Sequence, residues 1–112
     1  VLPDDVQALP LAEVALQLNV PVSRVAQLIR DGHLLACSRE GGLAVPAEFL
    51  DGAAVVKGLP GTVTVLRDGG FTDEEILRWL FDEDPSLPGT PIAALRSNRG
   101  REVKRRAQAM AF

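Results

Sequence analysis

Residues 18–31 read LNVPVSRVAQLIRD and are followed at once by GHLLACSREGGLAVP. Two short helical patterns thus break at Asn19-Val20-Pro21 and restart with no linker between them. Before the break, Leu11, Val14, Ala15 and Leu18 recur at helical spacing after Pro10, and Asn19 can take the left-handed conformation that closes a helix. After it, a second helix is expected from Val22 to about Arg30, stopped by Asp31-Gly32. Its inward positions read as Val22, Val25, Ala26 and Ile29 with Leu28 beside them, which leaves Ser23, Arg24, Gln27 and Arg30 outward. Two helices joined this tightly cross at a steep angle, so the second can project a row of side chains while the first braces it. Ala15 falls where the helices approach and only a small side chain fits.

The next residues narrow the possibilities. LLACSR and LAVP are short apolar runs separated by Glu40-Gly41-Gly42, the pattern of a strand pair with a glycine turn. A hairpin directly after the second helix is the wing of a winged helix-turn-helix, set to touch backbone or minor groove beside a helix in the major groove of DNA. On this reading Arg24 and Gln27, one turn apart, each suit two hydrogen bonds to a purine edge. Ser23 and Arg30 suit phosphates, as do Ser38 and Arg39 near the wing tip. A helical hairpin alone is a weak signal, because a charged outer face is usually just solvated. The full order of helix, tight turn, helix and Gly-Gly hairpin favours double-stranded DNA over a purely structural role.

The second half reads as helical. A short helix is expected around Thr62 to Arg67, ended by Gly69-Gly70, with the Gly and Pro of GLPGT before it as turn residues, since the stretch lacks the Gly-Lys-Ser/Thr ending of a phosphate loop. Thr72 opens T-D-E-E, a capping box, and the helix after it presents Ile76, Leu77, Leu80 and Phe81 inward with Trp79 at its flank. Asp82, Glu83 and Asp84 read as a solvated turn, and DPSLPGTP as a connector. Thr90-Pro91 starts IAALRS, Asn98-Arg99-Gly100 interrupts, and REVKRRAQAM forms a last helix with Val103, Ala107 and Met110 on one face. The expected fold is mainly α: a winged helix-turn-helix with a small β-hairpin wing over residues 1–58, and a C-terminal helical bundle over 59–112 packed on it.

Composition excludes several classes. With 112 residues, 46% of them hydrophobic, the chain can bury one modest core. No apolar run approaches the length that spans a bilayer, and Asp4 and Asp5 replace the basic start of a secretion signal, so a cytoplasmic, nucleoid-associated protein without a membrane role is expected. The start at Val1 reads as a trimmed or processed end. Cys37 and His33 stand alone as residues of their kinds, too few for a tetrahedral zinc site, and no nucleophile with a base and an orienting partner is visible. Neither a cofactor nor an enzymatic activity is expected.

VPVSRVAQLIRDGHLLA with REGGLAVPAEFL resembles the small winged helix-turn-helix of the MerR and excisionase type, and more closely an actinobacterial family of short DNA-binding proteins known from mycobacteria. VVKGLPGTVTVLRDGGFTDEEILRWLFDEDPSL and REVKRRAQAMAF resemble that family's C-terminal helical region, so the likeness covers nearly the whole chain. It implies a DNA-binding transcriptional regulator without enzymatic activity, with Ser23, Arg24, Gln27 and Arg30 on the recognition helix and Arg39 on the wing facing DNA. Glu40 departs from that pattern by putting a negative charge at the wing tip.

Charge complicates the picture. Up to Gly58, Arg24, Arg30, Arg39 and Lys57 face seven carboxylates, so the winged half is net negative by three. Phosphate neutralisation supplies most non-specific affinity, so another element is needed unless those cations share one face. The last helix supplies a candidate: Arg96, Arg99, Arg101, Lys104, Arg105 and Arg106 oppose only Glu102. Arg101, Lys104, Arg105 and Gln108 form one stripe, read equally as a phosphate contact through Lys104 and Arg105 or as a solubilising face. The alternative function is protein interaction. RWLFDEDPSLPGTPIAALRSNRGREVKRRAQAM is similar to the toxin-contacting region of certain bacterial antitoxins, which would make Trp79 and Phe112 contacts to a protein partner. A monomer or weak homodimer is expected in either case. If the wing tip approaches DNA, Glu40→Lys should tighten binding on any sequence and steepen its salt dependence, read from gel shifts at two salt concentrations; an unchanged salt slope would exclude the tip from the contact.

Overall fold

A computed structural model of the chain describes residues 6–39, 41–87 and 89–111. Glu40 at the expected wing tip and Phe112, a candidate partner contact, lie outside the described residues. Strand β1 (Ala8–Pro10) leads directly into helix α1 (Leu11–Leu18), and α2 (Val22–Arg30) follows. Asn19 closes α1 in the left-handed conformation, φ 58° and ψ 47°. The N–H of Val20 reaches back to the Ala15 carbonyl at 3.0 Å, which satisfies an end carbonyl and turns the chain sharply. Pro21 caps α2 with φ −65°, the angle its ring imposes, so the second helix starts without a side-chain cap. At the far end Gly32 takes φ 76° and the His33 N–H bonds the Leu28 carbonyl at 2.9 Å.

The expected hairpin consists of β2 (Cys37–Arg39) and β3 (Gly42–Pro46), paired antiparallel with Ser38 opposite Leu43 and Arg39 opposite Gly42. Sequence reading missed its third strand. β1 pairs with the other edge of β3, Leu9 opposite Val45, giving the order β1-β3-β2. Three residues ending in proline carry too little periodicity to announce a strand; pairing with β3 makes it one. A short 3-10 turn (Ala47–Phe49) and a small hairpin of β4 (Leu50–Asp51) and β5 (Ala54–Val55) finish the winged half.

Helix α3 spans Leu59–Asp68, one turn earlier than expected. Pro60 and Gly61 are its first turn rather than a preceding loop, because a proline there lacks only an N–H that would be unpaired anyway. The threonine hydroxyls bond within the helix, Thr62 to the Gly58 carbonyl at 2.9 Å and Thr64 to that of Pro60 at 3.0 Å. α4 (Asp73–Phe81) starts at the expected capping box, with the Glu75 N–H on Thr72 Oγ1 at 3.2 Å and the Thr72 N–H on Glu75 Oε1 at 2.9 Å. α5 (Pro91–Arg96) and α6 (Gly100–Ala111) complete the chain. α3 and α6 run parallel: Gly58 lies beside Gly100 at their starts and Gly69 beside Ala111 at their ends. A Cβ on Gly69 would fall 2.5 Å from that of Ala111, so only glycine permits this approach.

One continuous buried cluster runs from Val14 through Phe49 to Ala107 and includes residues of both halves. Phe49 and Phe81 stack across the halves with ring centroids 5.7 Å apart. Arg96 Nη1 donates to the carbonyls of Glu48 at 2.8 Å and Leu50 at 2.7 Å, so this arginine of the basic tail is a structural tie. The expectation of a solvated turn after α4 fails at Asp84, which is buried. Its carboxylate accepts from Trp79 Nε1 at 3.2 Å, from the Ser86 N–H at 2.9 Å and hydroxyl at 2.7 Å, and from Arg106 Nε at 3.1 Å. The Ser86 hydroxyl and N–H, then Arg106 and Trp79, hold its pKa well below the usual carboxylate range against the opposing effect of burial. A depressed folded pKa contributes stability that is complete above the unfolded value and is lost as pH falls through the folded one. Asp84→Asn should therefore cost on the order of 1–3 kcal/mol at neutral pH in urea unfolding. The wild type should lose its advantage over the variant below about pH 4.

Candidate nucleic-acid interface

On α2, Val25 is fully buried while Ser23, Arg24, Gln27 and Arg30 are exposed, as the helical spacing required. Arg24 and Gln27 interact: Arg24 Nη1 donates to Gln27 Oε1 at 3.0 Å. That bond takes one of the two lone pairs on the amide oxygen and leaves most N–H donors of the pair available. Sequence reading placed Val22 inward, but its side chain is 47% exposed at the start of the same row. It occupies the first helical position, and there the chain arriving from Pro21 leaves no core beneath it. Exposed methyl groups beside donors are suited to a thymine methyl, so Val22 joins the candidate residues. Its place outside the core was not readable from periodicity, because Val22 and Val25 are three apart like any inward pair.

The wing contributes differently. Ser38 is exposed on β2, and across from it Leu43 is 53% exposed on β3. Arg39 is half-buried, and its Nη2 donates to the Val6 carbonyl at 3.2 Å, which ties the wing edge to the chain entering β1. Arg67 of α3 lies against Gly32 at the end of α2, and its guanidinium grips Asp73 with two bonds of 2.8 Å. That hydrogen-bonded pair raises the arginine's pKa and seats the second half beneath the recognition helix.

The basic residues of α6 and Arg99 just before it divide. Arg99 pairs with Glu102 at 2.6 Å and Arg106 with Asp84 at 3.1 Å. Arg101, Lys104 and Arg105 are exposed, yet Lys104 and Arg101 open with Lys57 onto one cavity, whereas Arg105 opens with Ser86 and Leu87 onto another. The shared cavity lies where α3 begins, and Gly32 and the recognition helix meet α3 at its other end. At 1.5 Å per residue these ends are roughly 13 Å apart along α3. The two candidates Lys104 and Arg105 thus open onto different hollows, that of Lys104 at the opposite end of α3 from the recognition helix. Trp79 is half-buried against the core with its N–H bonded to Asp84.

The strand order, the tightly joined helices and the hairpin beside the second define a winged helix-turn-helix protein with a C-terminal helical domain. The comparisons agree with the geometry. Residues 1–50 match the family model described as the wHTH domain of DNA-binding protein Rv2175c, and residues 56–111 match the Rv2175c C-terminal domain of unknown function. The DNA-binding protein Rv2175c of Mycobacterium tuberculosis (strain ATCC 25618 / H37Rv) is 48% identical over 125 residues, covering 100% of this chain and 86% of that protein. The NMR structure of Rv2175c superposes with a TM-score of 0.90 at 47% identity, over 100% of this chain and 86% of that one. The chain belongs to the Rv2175c family.

Proposed function

We propose that the chain binds double-stranded DNA as a sequence-preferring regulator, with α2 in the major groove and the β2–β3 wing on the backbone or minor groove. The observation that carries this reading is the exposed row Ser23, Arg24, Gln27 and Arg30 above a fully buried Val25, a polar edge with no partner outside α2 among the described residues. The name of the relative, a DNA-binding protein, supports it. Arg24 takes one lone pair of the Gln27 oxygen, so the pair is rich in N–H donors, which suits the acceptor-only edge of guanine. Val22 beside it favours a neighbouring thymine. Ser23, Arg30 and Ser38 are assigned to phosphates, and Arg39 to holding the wing edge and meeting the backbone there.

The footprint is confined to the winged half. Lys104 and Arg105 are left outside it, since they open onto separate hollows and the first of these adjoins the remote end of α3. A protein-partner role for the C-terminal helices would require an apolar surface around Trp79. Among the described residues the exposed large apolar side chains are instead Leu16, Val22 and Leu43, all in the winged half.

Replacing Arg24 or Gln27 by Ala should relax preference at one definable base pair and cost about 1–3 kcal/mol there, measured by binding to a set of singly substituted operators. Equal weakening on every sequence would reassign both to phosphates. The double change Lys104→Gln with Arg105→Gln should leave the slope of log affinity against log salt unchanged. A slope shallower by about 2 would bring α6 into the footprint.

A further inference from the structure

Half of the twelve cations in this chain already have a partner. Arg24, Arg39, Arg67, Arg96, Arg99 and Arg106 each bond a protein oxygen. Among the described residues six cations make no hydrogen bond or ion pair, and three of them, Lys57, Arg101 and Lys104, line one cavity of about 580 Å³. They reach it from two directions, Lys57 from the connector before α3 and the other two from the first turns of α6. Three like charges around one hollow make a positive potential that favours an anion there. The carboxylate at its edge, Glu102, is already engaged by Arg99. The floor is apolar and open: Leu95 lies against Gly58 and Gly100, and a Cβ built on Gly61 would meet nothing within 4 Å.

We propose that this cleft binds a small phosphate-bearing ligand of nucleotide size, with Lys57, Arg101 and Lys104 on the phosphate and the Leu95–glycine floor under the remainder. The volume lies within the range of small-molecule sites, roughly 300–1,000 Å³. Ammonium and guanidinium groups converging on one hollow suit phosphate oxygens, which accept several charge-assisted bonds at once. A duplex is a poor occupant, because a convex cylinder does not enter a hollow of ligand size. The site is independent of the DNA reading and shares no residue with its footprint.

The test is a titration of the isotope-labelled full chain with adenosine monophosphate, followed by amide chemical shifts. The expected result is saturable shifts at Lys57, Gly58, Gly61, Gly100 and Arg101, with none there for adenosine. Lys57→Gln with Lys104→Gln should weaken binding by roughly tenfold or more. Gly61→Gln should block it without altering charge, since the added side chain enters the hollow where nothing else stands. Shifts that adenosine reproduces, that centre on α2 and the wing, or that persist in both variants would overturn the proposal. So would the absence of saturable shifts, or displacement of the nucleotide by duplex DNA, which would make the cleft a backbone contact instead.

Discussion

Close packing of two short helices joined by a tight turn needs a thin contact. Ala15 at 5% exposure, with Val14 and Val25 fully buried, supplies it at the packing of α1 on α2. A longer side chain at Ala15 would push α2 outward, and every outward residue would move with it, because the helix is a rigid body of nine residues. The side chains of Ser23, Arg24, Gln27 and Arg30 owe their direction to this contact rather than to any bond of their own. Asn19 and Pro21 serve the same end from the backbone, one by ending α1 in the left-handed conformation and the other by starting α2 at the angle its ring imposes.

The helical second half holds that geometry from below. Arg67 packs against Gly32 just past the recognition helix, Arg96 clamps the carbonyls of Glu48 and Leu50, and Phe49 stacks on Phe81. These contacts make the winged half and the helices one core, in which a site on a short helix inherits the rigidity of the whole. The parallel α3 and α6 form the centre of the support. Their glycines allow close approach at both ends, and the cationic cleft opens where the two helices begin.

Charge is distributed by the same architecture. A chain of net charge −3 has few cations to share out, and several of its arginines are engaged in structural bonds. Arg106 and Trp79 meet on Asp84, so the basic helix is fixed to the turn after α4 by a buried carboxylate. Positive charge counted along the chain therefore overstates what the surface offers a ligand. What remains exposed on α6 divides between two hollows, and the one shared with Lys57 gathers three cations besides the paired Arg99.

The sequence by itself determined the helix break, the outward row of α2, the wing hairpin and the capping box at Thr72, because each depends on local rules: a proline angle, a glycine turn, a period of 3.6 residues. It also carried the family likeness through motifs spread over both halves. Tertiary structure alone decided the rest. β1 is a strand only because β3 lies beside it; Val22 is exposed only because the chain enters α2 beyond the edge of the core. Asp84 reads as one of three acidic turn residues, and it is buried because Ser86, Trp79 and Arg106 converge on it from separate elements. Lys57 and Lys104 stand 47 residues apart in the chain, and no periodicity brings them to one cleft. The parallel packing of α3 on α6 does, because where two helices begin side by side is set by the fit of their glycines and not by either helix's own sequence.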